Sequence, residues 1–303
     1  MPPRGRVFDA IDHVLGLDLG GRGIADFFQP GAAFASARAL RRARTVLVVT
    51  GFCLPPGLPE TDGPPGAAVL GRALRRLGAR VRYLTDPPVV PPLAAALRVL
   101  GEPVEILPTD RDHGTASALL VRERPTHLVA IERPGRSRSG DYLSARGESV
   151  APWNLPLDEL FLIVGRPGSG DRARRARPIT IGVGDGGNEI GMGNVRPRLL
   201  RAGAHLARIA CTVRVDHLVV AGTSNWGAYG IVAALEALTG IALLHTPELE
   251  RRLIAACVKA GAVDGILRRA QATVDGLPAD VHAAVVALLR AGSGRRSGMM
   301  EAQ

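Results

Sequence analysis

The stretch most able to do chemistry is residues 179–195, where a β-branched run ends in glycines that carry two acids and an amide. Residues 179–183 have the apolar character of a buried strand. The glycines that follow lack Cβ atoms, so this turn can bring its backbone close to a ligand. Asp185 and Glu189 stand four residues apart, on one face if the chain from Gly187 onward is helical. Two carboxylates that close favour a cation or a proton between them.

The same glycines also fit a dinucleotide-binding pattern. Gly182, Gly184 and Gly187 satisfy G-x-G-x-x-G directly after a predicted strand. Asp185, however, would place a negative charge where the pyrophosphate needs the positive end of a helix. We therefore favour the cation interpretation and expect no nucleotide cofactor. A third interpretation stays open, in which the glycines only form a tight turn and the acids cap it.

A second stretch with similar character is the proline- and glycine-rich segment 51–66, which follows an apolar strand predicted at residues 45–50. Ligands of open α/β sheets bind at the carboxyl ends of the strands. Glu60 and Asp62 lie in this stiff loop, just ahead of a helix predicted over residues 67–77. Asp62 can also be a simple helix cap. We favour a functional role because a rigid loop that carries two acids resembles a placed site.

Other loops add polar side chains that can contact a ligand. Glu132 and Arg133 follow the strand predicted at residues 127–131 and can bind an ammonium and a carboxylate, or pair with each other. Arg146 lies in a polar loop and would add a second anion clamp. The turn at residues 18–23 is a weak candidate for a lid or a subunit contact.

A small polar turn precedes the helix predicted over residues 231–238. Ser224 and Asn225 either donate hydrogen bonds to a ligand carboxylate or, with Thr223, cap that helix. Trp226 would form an apolar wall beside them.

Predicted strands and helices alternate along the chain, which indicates a mostly parallel sheet with helices on both faces and ligand loops at the carboxyl ends of the strands. The strands are predicted at residues 45–50, 80–85, 104–107, 127–131, 179–183 and 217–221, and the helices at 8–17, 32–44, 67–77, 92–100, 117–124, 198–209, 231–238, 247–260 and 279–289. We expect one α/β domain over residues 1–303, with two lobes at about 1–155 and 156–303 as an alternative.

Composition narrows the class of protein. A chain of 303 residues with 46% hydrophobic residues and a mean hydropathy of +0.13 is neither disordered nor fibrous. The net charge of +10 raises the question of nucleic acid, but Lys259 is the only lysine and the arginines are dispersed along predicted helices. We therefore expect no nucleic-acid partner. The Gly/Ser/Arg-rich segment at residues 166–177 is predicted to be a mobile surface loop.

Cysteine usage and hydropathy bear on the compartment. Cys53, Cys211 and Cys257 have no metal or redox spacing, which suits reduced thiols in a cytosol. Cys53 lies in a glycine-proline turn, but no histidine is placed by sequence to activate it. No apolar run reaches the ~18 residues of a membrane span. We expect a cytoplasmic protein with no membrane partner.

Five motifs occur together and in order: VVTGF at 48–52, LPETDGPPG at 58–66, IERPG at 131–135, GDGGNEIGMG at 184–193 and SNWG at 224–227. In this combination the chain resembles the D-glutamate cyclase family, in particular its C-terminal catalytic-type domain, which bacteria and archaea also carry as a stand-alone protein. The resemblance runs from about residue 18 to the last helix. It departs from the family pattern at residues 166–177, where a plain helix would be expected.

The resemblance implies conversion of D-glutamate to 5-oxo-D-proline with loss of water, and a divalent-cation site in an acidic cavity. Carried over to this sequence, the metal ligands are Glu60, Asp62, Asp185 and Glu189, with Asn188 as an oxygen ligand or hydrogen-bond donor. Because these ligands offer only oxygen, we expect Mg²⁺ or Mn²⁺, with Ca²⁺ as an alternative. The expected partner is D-glutamate, a small acidic metabolite, and we expect a homo-oligomer.

The chemistry of ring closure assigns roles to these residues. The cation would activate the γ-carboxylate as a Lewis acid. Glu189 or Glu60 would take the ammonium proton and return one to the departing oxygen, and Arg133 or Arg146 would clamp the α-carboxylate. The predicted catalytic residues are Glu60, Asp185, Glu189 and Arg133, and the predicted substrate-binding residues are Glu132, Arg146, Asn188, Ser224 and Asn225.

Two other functions stay open. Acids on strand-end loops around Mg²⁺ serve equally well in a metal-dependent phosphohydrolase that acts on a small phosphorylated metabolite. A non-enzymatic module that binds an acidic ligand or nucleic acid through the +10 charge is the second alternative.

Overall fold

Five parallel strands form the main sheet and place the loops that carry the acids. The computed structural model describes residues 9–109, 115–165 and 177–293. In chain order the strands are β1 (Thr45–Thr50), β2 (Cys53–Leu54), β3 (Leu58–Pro59), β4 (Arg80–Leu84), β5 (His127–Ile131), β6 (Ile179–Gly184), β7 (His217–Val220), β8 (Thr273–Val274) and β9 (Leu277–Pro278). The main sheet has the spatial order β4-β1-β5-β6-β7, and β2–β3 and β8–β9 form two small antiparallel pairs.

Helices connect these strands, and the predicted α/β fold is confirmed. Within the described ranges the helices are α1 (Ala10–Leu15), α2 (Ala32–Leu40), α3 (Pro64–Arg76), α4 (Val90–Val99), α5 (Thr115–Glu123), α6 (Glu159–Gly165), α7 (Arg196–Ala202), α8 (Ala204–Ile209), α9 (Ser224–Thr239), α10 (Pro247–Lys259) and α11 (Ala279–Ser293). Helices α3 and α9 pack on each other and on the central strands, whereas α5 and α6 pack together as a separate group. The two groups cover the two faces of the sheet.

The central strands are apolar on both faces. Every residue of β5 is buried, and so is every residue of β1 after Thr45. Continuous burial of this kind is what a parallel strand between two helical layers requires. The chain leaves β1 for β4 on one side and later returns to β5 on the other, so the order of the strands reverses between β1 and β5. Ligands of such sheets bind at this reversal, outside the carboxyl ends of the strands.

Glycines bring α9 close to the sheet and to α3. A Cβ at Gly227 would lie 2.5 Å from Cγ1 of Val183 in β6, and a Cβ at Gly66 would lie 2.9 Å from Oδ1 of Asn225. These helices can therefore approach only where side chains are missing. The helix predicted from residue 231 accordingly begins at Ser224, because its early glycines are packing positions and do not interrupt it.

Three other predicted elements differ from the structure. The strand predicted at residues 104–107 is a single bridge between Ile106 and Tyr83, since Pro103 and Pro108 bound the segment and supply no N–H donors. The helix predicted over residues 198–209 is divided at Gly203, which has φ 152° and ψ 160°. The segment after Gly187 is not helical but forms a turn, followed by a short 3₁₀ helix at Met192–Asn194.

Two further expectations concern the predicted loop at residues 166–177 and the absence of a membrane span. The predicted mobile loop at residues 166–177 lies outside the described residues except for Arg177, which pairs with Asp216 at 2.6 Å. In the described part of the chain, no helix combines the length and the apolar character that crossing a bilayer requires.

Gly182 provides a test of how tightly the glycine-rich loop packs on β6. An added Cβ at Gly182 would lie 2.4 Å from the carbonyl oxygen of Ile190, which is backbone and cannot move aside easily. We expect Gly182→Ala to lower the free energy of unfolding by about 2 kcal/mol, the usual scale of overpacking. Gly292→Ala is the matched control, because its Cβ would meet Ala10 at an ordinary 3.5 Å. Chemical denaturation of both variants measures the difference, and equal stabilities would contradict this packing argument.

Candidate active site

Six carboxylates converge at the carboxyl ends of the strands. They come from the loops after β1, β5 and β6 and from the β8–β9 turn, and all are buried: Glu60, Asp62, Glu132, Asp185, Glu189 and Asp275. Oxygens of Asp62, Asp185 and Asp275 lie within 4.8 Å of one another, as do oxygens of Glu132, Asp185 and Glu189. Asp185 belongs to both groups, which makes it the centre of the cluster.

The glycine-rich loop folds around the carboxylate of Glu189. Oε1 of Glu189 accepts hydrogen bonds from the backbone N–H groups of Asp185 (3.0 Å) and Gly186 (2.6 Å), and Oε2 accepts one from Gly187 (2.8 Å). Gly187 has φ +100°, a conformation that favours glycine. Both oxygens of Glu189 therefore already shape the loop at the edge of the cluster.

Asp62 lies at the amino end of α9. Its Oδ1 accepts from the backbone N–H groups of Gly63 (3.0 Å) and Asn225 (2.8 Å), and its Oδ2 accepts from that of Ser224 (2.8 Å). The same Ser224 N–H also reaches Oδ2 of Asp185 at 3.1 Å. The free N–H groups and the positive end of the helix dipole stabilise these anions.

Asn225 and Thr223 have structural roles here. Oδ1 of Asn225 accepts from the backbone N–H groups of Gly63 (3.1 Å) and Gly66 (2.7 Å), so it caps α3. Thr223 is the N-cap of α9, with its side chain accepting from the N–H of Trp226. The capping alternative of the sequence analysis thus describes Thr223, and Asn225 caps α3 rather than the helix that it begins.

Glu132 is held by Ser224 in a strained backbone conformation. The Ser224 hydroxyl donates to Oε2 of Glu132 at 2.5 Å, and Glu132 has φ +43°, which is unusual for a residue with a side chain. Such strain concentrates at functional sites. Ser224 therefore contacts an acid of the cluster.

Arg22 brings a positive charge into the cluster. Its Nη1 lies 2.5 Å from Oδ1 of Asp185 and its Nη2 lies 2.5 Å from Oδ1 of Asp275. The Asp18 carboxylate holds the turn that carries Arg22 by accepting from the N–H groups of Arg22 and Gly23. One guanidinium does not balance six carboxylates, so protons or a further cation must share the site.

Burial and like charges favour the protonated forms of four of these acids. Burial, reinforced by neighbouring carboxylates, raises the pKa of Glu60 and the pKa of Glu132 well above their usual value. Burial also raises the pKa of Asp185 well above normal although Arg22 opposes the shift. The same causes raise the pKa of Asp62 to about 7. The cluster therefore binds protons, or an ion that replaces them.

Two carboxylate oxygens give direct evidence that the residues fit a metal. Oε1 of Glu60 and Oδ2 of Asp275 are buried and accept no hydrogen bond from any described residue. Buried polar atoms normally have a partner. Hard divalent cations take carboxylate oxygens as ligands. The buried acids can therefore hold a metal ion, and Glu132 and Asp275 extend the predicted ligand set of Glu60, Asp62, Asp185 and Glu189.

Arg133 lies away from solvent in a structural ion pair. Its guanidinium is fully buried, donates to both oxygens of Asp86 and also donates to the carbonyls of Gly51 (3.1 Å) and Leu155 (2.6 Å). It does not pair with Glu132. With these acceptors already in place, the geometry does not favour the predicted role of Arg133 as a clamp for a substrate carboxylate.

A cleft opens beside the acids. Four residues that the sequence analysis selected line it, namely Glu60, Glu132, Arg146 and Asn188. Arg146 is exposed and donates from Nη2 to the carbonyl of Ile266 at 2.9 Å, and Asn188 donates from Nδ2 to the carbonyl of Leu143 at 2.8 Å. None of the other six selected residues lines the cleft; three of them belong to the acid cluster (Asp62, Asp185 and Glu189), and three do not (Arg133, Ser224 and Asn225).

Asp275 was not predicted from the sequence, and Arg22 was predicted only as part of a turn that could be a lid or a subunit contact. The signal for Asp275 was present, because Asp-Gly between two short apolar runs is a strong hairpin pattern, and Asp275 and Gly276 have φ +54° and +79°. Nothing in the sequence, however, indicates that this hairpin meets the distant glycine-rich loop. Nothing in the sequence indicated that Asp86 is the partner of Arg133 either.

The three cysteines are buried and free. Burial, followed by the negative charge of Asp86, raises the pKa of the Cys53 thiol well above normal. A neutral buried thiol is a poor nucleophile. This supports the expectation that Cys53 is not catalytic.

Comparisons with known proteins agree with the motifs. A family model described as "D-glutamate cyclase-like, C-terminal" matches residues 11–290. The human protein named "D-glutamate cyclase, mitochondrial" is 35% identical over 260 residues, which are 80% of this chain and 40% of the human protein. The chain thus spans less than half the length of that relative.

One solved structure also matches, at a low level. It is described as an exopolyphosphatase-related protein from Bacteroides fragilis, and it aligns with a TM-score of 0.40 and 10% identity over 86% of this chain and 56% of that one. A likeness this weak carries no argument about fold or function.

The raised pKa values predict how stability depends on pH. Asp62 holds its proton up to about pH 7 in the folded protein, whereas an unfolded aspartate releases it near 3.8, so folding is stabilised at low pH and loses that contribution as pH rises towards 7. With a chelator present, we expect the melting temperature to fall over this range. Saturating Mg²⁺ or Mn²⁺ should then raise it by about 5 °C at pH 8 and little at pH 4.

Two variants make that measurement specific. Asp185→Asn should lose the response to the cation, because Asp185 belongs to both carboxylate groups. Asp280→Asn changes an exposed carboxylate of a surface ion pair and should keep the full response. A cation effect of the same size in Asp185→Asn, or one independent of pH, would argue against a metal in this cluster.

Proposed function

This chain belongs to the D-glutamate cyclase-like C-terminal family, and we propose that it is a hydro-lyase that converts D-glutamate to 5-oxo-D-proline and water with the help of a divalent metal. The observation that carries the proposal is Glu60, a buried carboxylate on the cleft whose Oε1 has no hydrogen-bond donor among the described residues. An acid in this state can exchange a proton with a bound ligand.

Ring closure makes one bond and breaks another. The amine nitrogen of glutamate bonds to the carbon of the γ-carboxylate (Cδ), and the bond from that carbon to one of its two oxygens breaks. Two protons leave the ammonium nitrogen, and both end on the departing oxygen, which leaves as water. The protein must therefore hold the folded-back conformer of the substrate and move protons from nitrogen to oxygen.

Glu60 is the best-placed carrier for those protons. Glu189, the other predicted base, already accepts three backbone hydrogen bonds, whereas Glu60 has an oxygen free. The raised pKa of Glu60, caused first by burial, brings its proton affinity closer to that of an amine than an exposed glutamate would have. Ionised Glu60 would thus take a proton from the nitrogen as a base and then return it to the departing oxygen as an acid.

The surrounding acids suit both a metal and the ammonium group. Asp62, Asp185 and Asp275 would hold a divalent metal, Mg²⁺ or Mn²⁺ by their oxygen-only chemistry and Ca²⁺ as an alternative. When bound, this ion would supply Lewis-acid activation of the γ-carboxylate and stabilise the charge that develops on its oxygen. Glu132 lines the cleft and would attract the substrate ammonium.

The wider setting of the activity is part of the proposal. Surface arginines such as Arg177 and Arg251 are engaged in ion pairs with acids, which supports the absence of a nucleic-acid partner. We propose a cytoplasmic homo-oligomer without membrane attachment, and no nucleotide cofactor. The buried free cysteines are consistent with a reducing compartment.

Single substitutions test the roles of Glu60 and Asp185. Glu60→Gln removes the proton carrier and Asp185→Asn removes the shared ligand, and we expect each to lower kcat for D-glutamate by about 1,000-fold, within the range of general acid–base catalysis. A chelator should abolish turnover of the unmodified protein. The measurement is formation of 5-oxo-D-proline, followed by chiral chromatography with L-glutamate assayed in parallel.

Glu105→Gln is the control, since Glu105 is a half-exposed partner of Arg75 and Arg82 away from the cleft. Undiminished turnover in both Glu60→Gln and Asp185→Asn would remove the proposed mechanism. Release of phosphate from small phosphoesters, with no turnover of D-glutamate, would instead indicate a phosphohydrolase.

A further inference from the structure

One arginine that lines the cleft, Arg268, has no role in the proposed function. It belongs to the segment 264–269, in which Gly265, Ile266 and Arg268 line the cleft together with Arg146 and the acids. The cleft lining thus combines acids, among them Glu60, Glu132 and Asp275, with arginines and with apolar side chains such as Phe52.

The segment 264–269 is fixed by one buried carboxylate. Oδ1 of Asp264 accepts from the backbone N–H groups of Ile266 (2.9 Å) and Leu267 (2.8 Å), and Oδ2 accepts from that of Gly276 (2.7 Å). Asp264 thus ties this segment to the turn that carries Asp275. Arg268 is consequently presented to the cleft from a rigid support.

Gly265 brings the same segment against the proposed proton carrier. A Cβ at Gly265 would lie 2.2 Å from Oε2 of Glu60, so the backbone touches the Glu60 carboxylate directly. Arg268, three residues further along, is therefore held at a fixed offset from Glu60. A substrate whose amine reaches Glu60 would present its other groups to this segment.

Arg268 itself shows two features of a binding residue. Its φ is +53°, a left-handed conformation that a side chain disfavours and that occurs preferentially at functional sites. Its Nε is buried and has no hydrogen-bond acceptor within the described ranges. The Nε atoms of Arg72, Arg75, Arg133 and Arg196 share that state, but of these five arginines Arg268 is the one that lines the cleft. A buried guanidinium N–H without an acceptor is costly unless a ligand supplies one.

The present partner of Arg268 is replaceable. Nη2 of Arg268 donates to Glu148, whose side chain is 44% exposed. This hydrogen bond lowers the pKa of Glu148, which therefore stays ionised and competes with any other carboxylate for the guanidinium. Ion pairs with exposed acids contribute little, so a carboxylate that enters the cleft can displace Glu148.

We propose that Arg268 binds the α-carboxylate of the substrate and so makes the site specific for substrates with this group over amines that lack it. This inference rests on the proposed function. The planar guanidinium offers parallel N–H donors that match a carboxylate. Arg146 lies on the same cleft and adds positive charge, while Arg133 is committed to Asp86.

The test compares D-glutamate with 4-aminobutyrate, an analogue that differs only in lacking the α-carboxylate. In Arg268→Gln, kcat/KM for D-glutamate should fall about 50-fold, mainly through a rise in KM, as expected for loss of a charge-assisted hydrogen bond. For the analogue, kcat/KM should change less than about two-fold. If the analogue turns over too slowly to follow, its inhibition constant against D-glutamate is measured instead, with the same expectation. Arg269→Gln, an exposed neighbour in the same segment, is the control and should behave like the unmodified protein.

Glu148→Gln separates binding from a merely structural ion pair. If Glu148 competes with the substrate, its removal should lower KM for D-glutamate a few-fold, opposite in sign to Arg268→Gln. A rise in KM in both variants, or an equal loss for both ligands in Arg268→Gln, would overturn the inference and leave the proposed function standing. No turnover of D-glutamate by the unmodified protein would overturn the proposed function, and this inference with it.

Discussion

The structure depends on one electrostatic constraint, which is the burial of six carboxylates in one cluster with Asp185 at its centre. One guanidinium, that of Arg22, lies among them. Isolated anions are costly to bury unless they gain partners. Here the partners are backbone N–H groups for Glu189 and Asp62, a hydroxyl for Glu132 and Arg22 for Asp185 and Asp275. Glu60 receives none of these, and it lines the cleft together with Glu132 and Asp275. The charge imbalance is thus concentrated where a ligand can reach it.

The fold supplies these partners through close backbone approaches. Because α9 begins at Ser224 and lies directly on β6, its first N–H groups point at Asp62 and Asp185. Asn225 caps α3 in the same contact, so the starts of the two helices fix each other. Because Gly66 and Gly227 have no side chains, the two helices approach closely enough for their first backbone N–H groups to reach these acceptors. Stability and site geometry are therefore the same set of contacts in this part of the molecule.

Local patterns in the sequence predicted most of the framework. The strands β1 and β5 match their predicted bounds because their apolar runs end sharply at turn residues. The acids of the two distinctive loops were identified for the same reason. Asp275 and Asp86 were not, because only long-range folding brings them to the site, and Arg133 was assigned a ligand when its partner is Asp86. Which partner a buried charge finds is a property of the tertiary structure, and neighbouring residues do not reveal it.

Asp264 has a consequence for the evolution of new substrates. Its two oxygens accept hydrogen bonds from the segment 264–269, which carries Arg268, and from the hairpin that carries Asp275. A single residue therefore fixes these two lining elements relative to each other, so one cannot shift without the other. Enlarging the cleft for a homologous amino acid with one more methylene would require both elements to be rebuilt together, which makes gradual drift towards longer substrates difficult for this scaffold.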